Sequence, residues 1–161
     1  MSSLSVLNER VTFGRGIPPE VNALMQEAVA SAGNVDRTRE LLYKAMEISP
    51  FQLEVYIALY KFCFYRGYIE ESEQVVLRAL EAASTKGGFA ADWHMLNVQS
   101  AAWDEDDSPA HIYLYSLKAL AFINLRLGNQ EKAGKILDKI RELDPQDRVG
   151  ASVIMSLAEG I

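Results

Sequence analysis

One cysteine is too few for an intrachain disulfide, and Cys63, set between Phe62 and Phe64 in a helical pattern, reads as a small buried hydrophobe. Histidine is nearly as scarce. Only His94 and His111 occur, neither in a nucleophile or metal motif, so no catalytic residue, metal ligand or cofactor is expected. Basic side chains are outnumbered 16 to 22, and a formal charge of −6 repels nucleic-acid phosphates unless the cations cluster, so nucleic acid is not an expected partner. No apolar run approaches the roughly 18 residues that mark a membrane span. Residues 1–10 lack the basic start and apolar centre of a signal peptide, so the expectation is a cytoplasmic chain with no membrane partner. Sustained two-residue alternation is also missing, which removes strands and leaves an all-α fold.

What the chain does contain is helical stripes cut at regular intervals by glycine and proline. Gly33 precedes Gly67 by 34 residues, Gly33-Asn34 recurs as Gly128-Asn129, and proline follows each pair 17 residues after the glycine, at Pro50 and Pro145. Such a period marks a helical repeat array. Pro18-Pro19-Glu20 opens a first helix to about Ser31 with Val21, Leu24, Met25, Ala28 and Val29 inward, and Gly33-Asn34 stops it in left-handed conformation. A second helix covers about 35–48, with Leu41, Leu42, Ala45 and Ile48 inward. The third, about 52–66, is apolar on nearly every side and must be covered on more than one. The fourth runs from about Ile69 to Ala83, burying Val75, Val76, Ala79 and Leu80.

The period then breaks, leaving an insertion over 87–113. Its Phe89, Trp93, Leu96, Ser100 and Trp103 alternate at four- and three-residue steps and predict an amphipathic helix, packed back on the array or used in a dimer contact. Ser108-Pro109 is the start signature of a helix to about Leu127, followed by one over about 130–143 with Ala133, Ile136, Leu137 and Ile140 buried. A last segment, 146–159, places Val149, Val153, Ile154 and Leu157 on one side, as a capping helix would. Residues 1–17 read as an N-terminal arm ahead of an 18–161 helical domain.

These features resemble the tetratricopeptide repeat, a 34-residue helix-turn-helix unit. Three units fit, over about 19–52, 53–86 and 114–147. The third matches best, through Leu117, Leu120, Ala121, Gly128, Ala133, Leu137 and Pro145; the second offers Tyr56, Leu59, Gly67, Ser72, Val76 and Ala79; the first keeps Gly33, Leu42, Ala45 and Pro50, with Thr38 at a small-residue position. The resemblance implies a right-handed solenoid of about three repeats, plus the inserted helix and the capping helix. It also implies a non-catalytic adaptor or chaperone-like scaffold that binds a peptide or amphipathic helix of another protein in its concave groove.

In the resembled family the groove-facing positions lie on the first helix of each unit. Here these include Ile57, Lys61, Phe64 and Tyr65, then Tyr115, Lys118, Phe122 and Arg126, an aromatic and cationic set that suits an acidic segment. The family's clamp for chaperone C-termini is not matched, since Ala23, Glu27, Ala58, Tyr115 and Ala119 stand at its positions. Two alternatives remain at this point. One is a self-associating structural subunit, a homodimer; the other is a metal protein using His94, His111 and the acidic run Asp104 to Asp107.

Overall fold

A computed structural model describes residues 16–159, which fall into two compact units dividing between Val75 and Val76. The expected N-terminal arm lies almost wholly outside the described residues. Among these there are seven α-helices, one short 3-10 turn and no strand, so the fold is all-α. No helix among them is long and apolar enough to cross a membrane.

In the first unit α1 (Pro19–Ala30) packs on α2 (Val35–Ile48), and α2 on α3 (Leu53–Tyr65). Pro19 sits at the start of α1, where its missing N–H is not needed, and Glu20 faces the positive helix end. Gly33, expected as a left-handed stop, does not adopt positive φ. The turn is closed instead by Asn34 N–H donating to the Ser31 carbonyl at 2.7 Å, and Asn34 is extended at φ −113°. That conformation lets its Oδ1 accept from Arg37 N–H at 3.1 Å and cap α2. On α2, Thr38, Leu41, Leu42, Ala45 and Met46 are buried, while Ile48, its last residue, is 40% exposed rather than inward. Leu24 and Val29 on α1 are half-buried.

The apolar α3 is the most enclosed helix of this unit, with nine of its thirteen residues buried. Small residues stand where helices approach: Thr38 donates to the Ser31 carbonyl at 2.7 Å, and Ser72, near the start of α4 (Ile69–Gly87), donates to that of Tyr60 at 2.9 Å. Both hydroxyls are fully buried and satisfied, so neither carries a desolvation penalty.

The helix α4 runs across the division point, four residues longer than expected, and buries Val75, Val76, Ala79 and Leu80. In the second unit α5 (Pro109–Arg126), α6 (Gln130–Leu143) and α7 (Ala151–Glu159) pack on one another, with the Trp93–Met95 3-10 turn against α6. Ser108 caps α5 as its type predicts, accepting from His111 N–H at 3.1 Å.

The insertion is not the expected amphipathic helix. Asp92 accepts from His94 N–H at 3.0 Å, the Ser100 hydroxyl from Asn97 N–H at 2.9 Å, and Asn97 Oδ1 from Gln99 N–H at 2.8 Å. Such local side-chain bonds offer the backbone an alternative to the helical ladder. Two side chains of the expected stripe still reach the core of their own unit, while Phe89 and Trp93 are half-buried. Leu96 and Trp103 are 2% and 5% exposed, and Phe89 meets the Trp103 and Tyr113 rings edge-on at 5.2 Å. Gly87 permits this, because a Cβ there would lie 2.4 Å from the Phe89 ring.

Of the stripe expected on the last segment, Val149 and Ile154 are buried, while Val153 and Leu157 are 64% and 47% exposed. The helix begins only at Ala151. Buried Asp144 accepts from Arg148 N–H at 2.9 Å and Val149 N–H at 3.0 Å, and holds Val149 inward in the preceding loop.

Candidate protein-binding faces

The helices α3 and α5 end in the same way, and that places their expected partner-facing residues in matching register. At the end of α3, Tyr68 N–H donates to the Cys63 carbonyl at 2.9 Å and Gly67 N–H to that of Phe64 at 3.1 Å. At the end of α5, Asn129 N–H donates to the Asn124 carbonyl at 2.8 Å and Gly128 N–H to that of Leu125 at 3.1 Å. Gly67 and Gly128 take φ +86° and +85°, a left-handed conformation that costs a side-chain-bearing residue about 1–2 kcal/mol. Lys61 and Phe122 each stand six residues before their glycine, as Tyr65 and Arg126 stand two before theirs.

On α3, Ile57 is 1% exposed and presents no surface, so it leaves the expected set. Helical spacing alone does not reveal that burial. Lys61 and Phe64 are half-buried and Tyr65 is 48% exposed, its ring edge-on to Phe64 at 5.8 Å. The Arg66 guanidinium donates to the Ala32 carbonyl at 2.8 Å and lies 5.4 Å from the Phe62 ring, fixing this end of the helix.

On α5, Tyr115, Lys118 and Phe122 are half-buried and Arg126 is exposed. Lys118 is committed to its own fold: Nζ donates to the Val149 carbonyl at 2.6 Å and lies 4.7 Å over the Tyr115 ring. A residue so held orders the loop before α7 and has less freedom to meet an acidic partner.

His94 and His111 are not assembled into a metal centre; among the described residues no three potential ligands gather. His94 stacks on Trp93 at 3.6 Å and its Nδ1 lies 2.8 Å from Asp92, whose carboxyl this hydrogen bond holds below its ordinary range. His111 sits in the first turn of α5, and its buried Nδ1 has no hydrogen-bond partner among the described residues.

Sequence spacing missed a polar network in the first unit. The Glu71 carboxylate accepts from Arg39 Nε at 3.1 Å, Arg39 Nη2 at 2.5 Å and the Tyr43 hydroxyl at 2.8 Å, with the Cys63 thiol also in hydrogen-bond reach. The Arg39 guanidinium also covers the Tyr68 ring at 4.6 Å. Burial pushes the Glu71 pKa up, but hydrogen bonds from Arg39 and Tyr43 with the Arg39 charge outweigh it and bring the carboxyl below its ordinary value. Burial beside that carboxylate pushes the Cys63 thiol up to about 12, so it stays protonated and unreactive at neutral pH. The residues lie up to 32 positions apart, and no local motif links them.

No protein-family model matches the chain. Over 147 residues, 90% of this chain, it is 26% identical to a protein of Azotobacter chroococcum mcd 1 described as an uncharacterized 19.8 kDa protein in the nifW 5′ region; the match covers 81% of that protein. That similarity brings no activity with it.

Proposed function

We propose that this chain is a non-catalytic protein-interaction module of tetratricopeptide-like helix pairs, binding a peptide or amphipathic helix of a partner through the outward faces of α3 and α5. The observation that carries the reading is the shared helix ending at Gly67 and Gly128. It supports reading α3 and α5 as first helices of two repeats, with aromatic and cationic side chains at equivalent distances from the closing glycine. On α3 Tyr65 is exposed, with Lys61 and Phe64 half-buried; on α5 Arg126 is exposed, with Tyr115 and Phe122 half-buried. Half-buried aromatics beside cations suit an apolar anchor flanked by acidic side chains, with affinity concentrated in the rings and association rate in the charges.

The test is capture of partners from the native source on the full chain, followed by binding between purified components. Phe122→Ala is expected to weaken binding by about 1–3 kcal/mol, and Arg126→Glu to slow association and reduce its salt dependence. If both variants fold and bind like the wild type, these faces do not carry the interaction.

A further inference from the structure

In place of a helix, the insertion builds one side of a cavity of about 270 Å³ within the second unit, far larger than the ~30 Å³ share of one water. Its apolar walls are Val98, Ala102 and Trp103 on one side and Leu143 and Pro145, at the end of α6, on the other. The walls are held in place. Trp103 Nε1 donates to the Asn97 carbonyl at 2.9 Å, Lys139 Nζ to that of Leu96 at 2.7 Å, and the Phe89 ring backs the indole. An occupant therefore meets a formed pocket and little ordering cost. Val98 and Met95, 59% and 70% exposed, add apolar surface on the same segment.

The charge around this cavity has one dominant sign. It lies at the C-terminal end of α6, where unpaired carbonyls carry the negative end of the helix dipole. Asp144 and Asp104 line it, and Glu105, Asp106 and Asp107 continue an exposed acidic run. Arg148 is the lining cation, and Asp106 holds its guanidinium at 2.9 Å. Asp104, Glu105 and Asp107 have no ion pair among the described residues.

We propose that this cavity docks a segment of a partner protein in which one apolar side chain, of leucine or phenylalanine size, is flanked by lysine or arginine. The apolar side chain fills the cavity and its basic neighbours meet Asp104, Glu105 and Asp107. An acidic segment would instead place like charges together, which disfavours it. None of the residues lining this cavity belongs to the α3 and α5 sets, whose cations suit the opposite charge.

The experiment is selection of random displayed peptides on the immobilised full chain, then fluorescence anisotropy with the enriched peptides. Sequences with leucine or phenylalanine between lysines or arginines are expected. Ala102→Trp fills the cavity from an exposed position and should weaken them roughly tenfold or more; Val98→Asn, also exposed, does the same duty if that variant fails to fold. The triple change Asp104→Asn, Glu105→Gln, Asp107→Asn should weaken binding and flatten its salt dependence, while Phe122→Ala leaves it unchanged. Failure to enrich such peptides, or equal binding to the wild type and the filled variant, overturns the proposal. Enriched acidic peptides lost in Phe122→Ala would do so too, while favouring the α3 and α5 faces.

Discussion

Replacing Glu71 with glutamine removes one charge at nearly constant shape, and the structure sets what is lost. The carboxylate accepts two hydrogen bonds from Arg39, at 3.1 and 2.5 Å, and one from Tyr43 at 2.8 Å. Glutamine retains one acceptor oxygen and turns an amide toward a guanidinium that can only donate. Charge-assisted bonds contribute about 1.5–3 kcal/mol when enclosed and under about 1 kcal/mol when solvated. With side-chain exposures of 26% and 30%, Glu71 and Arg39 fall between these limits, and a loss of about 2 kcal/mol is expected. Urea denaturation followed by circular dichroism measures it, with Tyr43→Phe as the second arm of a double-mutant cycle. The pH dependence adds a sign. Because Glu71 titrates below its ordinary value when folded, its contribution is complete above the unfolded carboxyl pKa of about 4.3. That contribution is lost as pH falls through the lower folded value, so wild type and Glu71→Gln should converge there. A loss below about 0.5 kcal/mol at pH 7, or a difference that grows on acidification, refutes the reasoning.

Gly67→Ala and Gly128→Ala should each cost about 1–2 kcal/mol, and equally, because φ is alike and no atom lies within 4 Å of either added Cβ; a neutral effect at either site contradicts the shared ending. Trp103→Ala, at a site 5% exposed and ringed by Phe89 and Tyr113, should lower stability by about 3–5 kcal/mol in thermal or urea unfolding. A change under about 1 kcal/mol would show that the insertion is not anchored as described. Cys63 should resist a thiol reagent at pH 8 and react only on unfolding, and stoichiometric labelling with the helical signal intact would contradict its burial.

Helix positions and type were legible wherever the chain carries its own punctuation. Pro19, Ser108, Gly67 and Gly128 act within one turn of where they stand, so a local reading suffices. Gly33 misled because Asn34 had two possible tasks, left-handed stop and helix cap, and capping Arg37 N–H required the extended conformation. The insertion misled for a similar reason: four- and three-residue spacing is necessary for an amphipathic helix, but an irregular chain pinned by Asp92, Asn97 and Ser100 can send the same side chains inward. The candidate faces were legible in register and only partly in exposure. Ile57 and Phe64 are both apolar and on one stripe, yet one is buried and the other half-buried, a difference that helical spacing does not encode. The Arg39–Glu71 network and the cavity beside Trp103 bring together residues more than 30 positions apart.

Hydrogen exchange on the full chain, with and without a purified captured partner, tests the central claim most directly, because it reads every segment at once. Added protection is expected over 61–65 at the end of α3 and over 115–126 on α5, and at the same partner concentration both segments should be less protected in Phe122→Ala. Protection confined to other segments, with 61–65 and 115–126 exchanging as in the free chain, would contradict the claim.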